Sequence, residues 1–579
     1  MDNFRRDDDP RYAEHPCYST AAGEDCEAVQ ALAGKQAAGA HAACARSSRH
    51  PVAGLNGALL APEPAPDFTA GRGRPEPKRA FLHDLALTMG AEAGTVATGL
   101  LLTSIVSRWL GDRALSEYLL LRRVLTWMLA GTMVGLGTGL PRYVAQAAGH
   151  CEEDEHGYFL AASVCLLAAA AFTAGALILA RRSCAQWLFG NGQETGLVMA
   201  LGLLLLGFAV HRAVSGYYRG RLEMMRANLL ELLNAALLPL SVVVALLHRE
   251  PIGAMMFVTG GLMALMGALF AVPLLCRLRW RAAARGLRAR CRELLHYGLP
   301  RIPGEFGAAT GMALGPMLAV HYMSITAVAP LLLGLNMLMV IGYAAGPLGS
   351  MLLSKVSMML GRNQHGAVQA RMRLLIAAVM EIAVFTCLQL LVFADVVVRA
   401  WVGPGFENQM DIIRLVLVAI PAYLFFVALR NTIDAASVKP FNTANVMISL
   451  TVYLALVAAW MGLFPGRTLL LGIAGSLLAS QILLALLTAR TFRKLYGVGV
   501  PWRRLAPSFA TAVALGAAAM AFRKFAGGRL PLPAAILAET VVTLLYLAVL
   551  ARRRSGWLIY TWNVGVCRRM NWSAESLEP

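Results

Sequence analysis

From Phe81 onward the chain alternates apolar runs of about 20 residues with short polar joints, the length a helix needs to cross a hydrocarbon core of about 30 Å. The first two runs set the pattern, FLHDLALTMGAEAGTVATGLLLTSIVSRWLG and then DRALSEYLLLRRVLTWMLAGTMVGLGTGLPRYVAQ. Carried through the chain, it predicts fourteen spans at 85–107, 117–139, 158–180, 196–216, 228–247, 252–275, 298–320, 326–352, 374–394, 412–433, 444–464, 468–489, 505–526 and 532–551. The expected fold class is an all-α polytopic membrane protein.

The pattern recurs. His83, Glu92, Gly94, Arg108 and Arg142 are matched by His296, Glu305, Gly307, His321 and Lys355, each 213 residues further on. An even number of spans per copy brings both halves in from the same side, so the expectation is two pseudo-symmetric six-helix lobes in a parallel repeat, with a central cleft between them. The expected division is a disordered cytoplasmic tail at 1–80, a first lobe at 81–276, a basic amphipathic linker at 277–297, a second lobe at 298–490, two extra helices within 491–552, and a cytoplasmic tail at 553–579.

Composition narrows the class. A mean hydropathy of +0.58 with 58% apolar residues excludes a soluble globular chain. The excess of 52 Lys and Arg over 33 Asp and Glu lies outside residues 1–80, which hold 10 basic and 11 acidic side chains. Nucleic-acid binding is therefore the wrong reading of this charge. With the N-terminus inside, inner loops and flanks carry 30 Lys and Arg and outer loops 10, which sets the orientation. The ten Cys show no CxxC and no metal spacing with His, so neither a disulfide framework nor a metal site is expected, and no cofactor. No Walker motif, zinc spacing or GxSxG turn appears either, which argues against an enzyme.

SRWLG at 107–111, GLGTGLPRYVAQ at 135–146, YYRGRLEMMRANLLELLNAALLPL at 217–240, YGLPRIPGEFG at 297–307 and RNTIDAASVKPFNTAN at 430–445 together resemble the Wzx-like polysaccharide transporters. These belong to the multidrug, oligosaccharidyl-lipid and polysaccharide exporter superfamily, and the resemblance covers about residues 82–500. It implies a flippase of the bacterial inner membrane. The implied cargo is an undecaprenyl-pyrophosphate-linked oligosaccharide for polysaccharide or lipopolysaccharide synthesis, moved by alternating access. Implied partners are the lipid-linked oligosaccharide, membrane lipids and a polysaccharide polymerase, with H+ or Na+ as coupling ion. A lipid II flippase or a cation-coupled drug antiporter of the same superfamily are the alternatives, and a membrane glycosyltransferase or polymerase a more distant one.

A pyrophosphate needs cationic donors inside the bundle, and Arg suits it by its planar, permanently charged fork. The candidates are Arg122, Arg123, Arg212, Arg301, Arg414 and Arg430. Arg122 and Arg123 point about 100° apart on a helix, so one of them is expected to face the cavity. Arg301, Arg414 and Arg430 lie near predicted span ends, where they could instead snorkel. Glu92 and Glu305, at matching repeat positions, could couple transport to a proton gradient or pair with Arg123 and Arg301. Glu231, Glu381 and Glu539 read as structural partners. Arg142 and Lys355 are candidates for an inner gate, with topological anchoring as the alternative. The glycines of span 2 and Pro300 and Pro303 of span 7 predict weakened helices, with a bend near Pro303.

Overall fold

The computed structural model describes residues 78–553 and 555, apart from 148–151, 362–363, 438, 464–466 and 526–531. Both expected tails lie almost wholly outside the described residues. Within the described residues the chain is helical throughout. In order the α-helices are α1 Lys78–Ile105, α2 Gly111–Thr132, α3 Leu136–Ala147, α4 Glu152–Leu179, α5 Arg181–Phe189, α6 Thr195–Gly220, α7 Met224–Leu232, α8 Leu238–Ala245, α9 Ile252–Arg277 and α10 Trp280–Ala284. There follow α11 Leu287–Gly298, α12 Ile302–Ala319, α13 Ala329–Gly361, α14 His365–Val402, α15 Met410–Leu417, α16 Ile420–Ala436, α17 Phe441–Leu463, α18 Arg467–Tyr496, α19 Trp502–Phe525 and α20 Leu532–Arg552.

Eleven described helices are long and apolar enough to cross a membrane, or twelve when the bent pair α15 and α16 counts as one span. The sequence reading expects fourteen, and two regions account for the difference. Leu87–Thr132 forms one helical run of 46 residues where two spans are expected. A straight helix of that length would reach about 70 Å, more than twice the hydrocarbon thickness. The run is interrupted by a π-turn at Val106–Leu110 and by Gly111 at φ +82°, which separates α1 from α2. The other region is α12. It has only 18 residues and carries Glu305, Pro303, Pro316 and four glycines, which lower its apolarity.

Span 2 is broken as well. Val134 and Gly135 adopt φ of +50° and +66°, ending α2 and starting α3. A Cβ at Gly135 would stand 2.6 Å from the Gly298 carbonyl oxygen, so this turn touches the backbone at the end of α11. Only glycine permits both the left-handed dihedral and that approach. In span 7 the irregularity is a 3₁₀ turn at Leu299–Arg301, just before Pro303 rather than at it. Proline at the first or second position of α12 starts that helix instead of kinking it.

The long helix α6 is the centre of the first half. It packs on α9 through small residues, a Cβ at Gly207 falling 2.7 Å from the Gly260 carbonyl. One apolar cluster runs across both halves, from Leu102 through Leu201 and Leu332 to Leu477. Two further clusters sit within the first and second halves, around Tyr217 and around Phe492. The basic segment 277–297 forms α10 and α11, split at Gly286 (φ +73°). Leu294 is buried and Cys291 half-buried, while Arg285, Arg288 and Arg292 are exposed. Arg290 turns back to pair with Asp154 of α4 at 2.5 Å.

The last two helices are tied to α14 by one acid. Glu381, 5% exposed, accepts hydrogen bonds from Ser508 Oγ of α19 at 2.8 Å and from Ser555 Oγ beyond α20 at 2.9 Å. The Tyr546 hydroxyl of α20 donates to the Glu381 carbonyl at 3.2 Å. Glu381→Ala leaves two hydroxyls without their acceptor and is expected to cost about 2 kcal/mol. The check is thermal unfolding in detergent, with Glu381→Gln recovering part of the loss.

Candidate functional site

An internal cavity of about 800 Å³ is lined by α1, α2, α6, the α7–α8 segment and α9, and by Asn336, Val340 and Tyr343 of α13. It lies mainly within the first half and is closed by one helix of the second, whereas the sequence reading places it between two equal lobes. Its walls are largely apolar, so the charged side chains that reach it stand out against a low-dielectric background.

Three guanidinium groups line it: Arg122 from α2 and Arg212 and Arg219 from α6. Arg122 lies over the ring of Tyr118, 5.5 Å from its centroid, and its Nη1 is 3.4 Å from the Tyr118 hydroxyl. Arg212 and Arg219 are seven residues apart and share a helix face. Arg219 Nη2 donates to Glu231 Oε2 at 3.2 Å, while His211 Nε2 stands 3.3 Å from the same oxygen. Asn234 Nδ2 is 3.1 Å from His211 Nδ1, and Asn234 Oδ1 is buried without a hydrogen-bond partner. Asn234 lies in a π-turn at Leu233–Leu237 that continues α7, and shares the cavity wall with Asn228 and Glu231, each three residues apart.

Glu92 faces the cavity from α1 and makes no ion pair among the described residues; the charges acting on it are Arg219 and Glu231. Arg122 and Arg212 likewise make no ion pair among the described residues. The cavity therefore holds a group centred on Glu231, hydrogen-bonded by Arg219 and within the field of Arg212, beside Arg122 and Glu92, which make no close ion pair among the described residues.

The other sequence candidates lie elsewhere. Arg123 is 7% exposed and points away from the cavity, its Nη1 against the Met339 sulfur of α13. It forms no ion pair with Glu92, because the 100° step along α2 carries it to the opposite wall. Arg414 donates to the Leu391 carbonyl at 3.1 Å and lies 3.5 Å from Asp395, in a group that includes Arg523. Arg301 stacks on Tyr297 at 3.7 Å and donates to the Tyr297 carbonyl at 3.1 Å, with no ion pair to Glu305. Arg430 is exposed near the end of α16, and Glu305 is exposed on α12 with Arg430, Arg301 and Arg212 as its surrounding cations. Neither of these two lines the cavity. Of the gate candidates, Arg142 also lies over Tyr297, 5.1 Å from its ring centroid. Tyr143 meets Tyr158 and Tyr297 at 5.2 and 5.7 Å. The side chain of Lys355 lies outside the described residues.

At the opposite end, α1 is fastened to α14. Ser107 Oγ donates to the Val402 carbonyl at 2.7 Å, and Arg108 reaches the carbonyls of Arg399 (3.4 Å), Ala400 and Trp401 (3.5 Å). Trp401 Nε1 donates back to the Leu100 carbonyl at 2.8 Å. The last-turn carbonyls of a helix lack partners within it, and a cation suits that end of the dipole.

Sequence reasoning overlooked Arg219, His211, Asn234 and Tyr118. The signals were present as helical spacings: Arg212 with Arg219, Tyr118 with Arg122, and Asn228 with Glu231 and Asn234.

No protein-family model and no curated protein sequence matches the chain. Solved structures do. The lipid II flippase MurJ in an inward closed conformation matches with a TM-score of 0.63 at 10% identity, over 81% of this chain and 99% of its own. An inward-facing multidrug resistance MATE transporter of the MOP superfamily matches at 0.58 and 15% identity, over 71% and 98%. An outward-facing MATE transporter matches at 0.52 and 16% identity, over 74% and 98%. These neighbours are transporters rather than enzymes. At such identities the likeness is one of fold, and the fold is that of the MOP-superfamily transporters, a multi-pass membrane architecture shared by multidrug transporters and a lipid flippase.

Proposed function

We propose that this chain flips a lipid-linked oligosaccharide through its pyrophosphate, as an undecaprenyl-pyrophosphate glycan carrier of the bacterial inner membrane with both termini cytoplasmic. The observation that carries this reading is the cluster of Arg122, Arg212 and Arg219 in a cavity inside an apolar bundle: three guanidiniums against Glu231 and Glu92, with Arg122 making no ion pair among the described residues. Uncompensated cations are costly there unless an anion visits. A pyrophosphate supplies the charge and the acceptor oxygens, and the polar groups of Asn228, Thr98 and Asn336 in the same walls suit the first sugar. Glu92 is the coupling carboxylate on this reading, for H+ or Na+, with Glu305 outside the cavity excluded from that step. The two halves, 81–276 and 298–490, act as the moving bodies, and a polymerase takes the delivered glycan.

The test is reconstitution into proteoliposomes with a fluorescent polyprenyl-pyrophosphate disaccharide, scored by loss of its accessibility to a membrane-impermeant reagent. The expected result is protein-dependent flipping of the pyrophosphate carrier but not of the uncharged polyprenol glycoside. Uptake of organic cations without flipping of the carrier would instead assign the chain to drug export.

A further inference from the structure

A second cavity, of about 630 Å³, lies between α14 and α20 and shares no lining residue with the first. Its walls are mostly apolar, with Phe385, Phe393 and Trp401 among them, and four polar side chains line it: Thr386, Gln389, Glu539 and Thr540, whose hydroxyl is spent on the Ile536 carbonyl. Gln389 is 4% exposed, and neither its Nε2 nor its Oε1 has a hydrogen-bond partner among the described residues. Glu539 Oε2 is also buried without a partner; the Thr543 hydroxyl approaches only its other oxygen, at 3.5 Å. Glu539 makes no ion pair among the described residues. Arg523, which lies over the lining ring of Phe393, is committed to both oxygens of Asp395 at 2.9 and 2.6 Å.

Glu539 sits seven residues into α20, about 10 Å along its axis, and Gln389 thirteen residues before the end of α14, about 20 Å. Both are thus at a depth where water is scarce and an unpartnered amide and carboxyl are each costly. Such groups persist in membrane bundles where they serve a ligand.

We propose that this cavity is a binding site for a primary alkylamine amphiphile. The ammonium donates to Glu539 Oε2 and Gln389 Oε1, which supplies the charge that the carboxylate lacks. The ring of Trp401 favours a cation beside it, that of Phe393 already having Arg523 5.8 Å from its centroid, and the remaining apolar wall takes the alkyl chain. A neutral alcohol would leave the carboxylate without a counter-ion, and an anion would meet it with like charge.

The experiment uses the full chain in phosphatidylcholine nanodiscs, titrated calorimetrically with decylammonium, decanol and decyl sulfate, with protein-free discs subtracted. Decylammonium should bind saturably and decanol and decyl sulfate at least about 10-fold more weakly, the scale of one hydrogen bond to a charged group. Glu539→Gln and Gln389→Leu should each weaken decylammonium about 10-fold, with Glu539→Asp closer to the native chain. Decanol binding as tightly as decylammonium, or decylammonium binding unaltered by Gln389→Leu, overturns the proposal. The three-probe comparison on the native chain stands even where a variant fails to fold.

Discussion

Arg212→Ala is expected to lower flipping of a polyprenyl-pyrophosphate glycan by about 10- to 100-fold at normal protein level, the loss that one charge-assisted hydrogen bond of about 1.5–3 kcal/mol represents. Arg122→Ala should behave alike. Both guanidiniums line the cavity and neither is in hydrogen-bonding contact with a carboxylate among the described residues, Arg212 acting on Glu231 only through space, so on the proposed reading their donors are open to cargo. Arg219 serves as the internal control. It also lines the cavity, but its Nη2 is engaged by Glu231 Oε2 at 3.2 Å. Arg219→Ala strands a buried carboxylate beside His211, and removing that charge as well, in Arg219→Ala/Glu231→Gln, should restore much of the activity. Glu231→Gln should not rescue Arg212→Ala. Arg212→Lys should keep an intermediate rate, since it retains charge but loses the bidentate fork. If Arg212→Ala flips cargo at the native rate, the cavity is not the pyrophosphate site. Arg414→Ala offers the opposite contrast: that side chain is spent on the Leu391 carbonyl and Asp395, and its loss should act on stability without a selective effect on flipping.

The contrast between Arg122 and Arg123 shows how far a sequence carries the argument. The 20-residue apolar runs are a one-dimensional signal fixed by bilayer thickness, so an all-helical membrane bundle is legible directly. The angular step between adjacent helix positions is legible too, and it separates these two arginines by about 100°. Which of them meets the cavity depends on the rotation of α2 against α13, and a single periodic helix holds no record of that. The break at Val134 and Gly135 is a similar case. A Gly-rich stretch announces weakness, but the positive φ at both positions follows from the approach of Gly298, which lies more than 160 residues away in the chain. The Glu231 network was hidden for another reason. Its members come from α6, from α7 and from the π-turn after it, and although the spacings within each segment are visible, which faces of α6 and α7 meet is set by packing. The division of Leu87–Thr132 by Gly111 belongs to the same class, since glycine in a membrane helix is common and only its dihedral shows where the chain turns.

Ser107→Ala/Arg108→Ala is expected to loosen the end of the bundle where α1 meets α14, and to raise amide hydrogen exchange there by about 30- to 100-fold, the equivalent of about 2–3 kcal/mol. The contact is made of side-chain donors from the π-turn and carbonyl acceptors from the last turn of α14, with Trp401 Nε1 returning a bond to Leu100. Ser107 is buried and its bond is short, at 2.7 Å; Arg108 is exposed, with a close contact to the Ala400 carbonyl and weaker ones at 3.4 and 3.5 Å, so the two residues share the energy. The single change Ser107→Ala should therefore account for about half the effect. Exchange mass spectrometry reads it in peptides covering 100–112 and 396–404. Peptides at the other end, around Tyr143 and Tyr297, should keep their protection, because the stacking of Arg142 and Arg301 on Tyr297 does not depend on Ser107. If, as the proposed function requires, this end opens and closes, it cannot be held by more than a few kcal/mol, since the cargo's differential affinity is all that is available to shift it. A set of four carbonyls and two side chains fits that range, whereas a packed apolar interface of similar extent would not reopen. Unaltered exchange in both peptides would show that apolar packing around Val106 and Val402, rather than these donors, holds the two helices together.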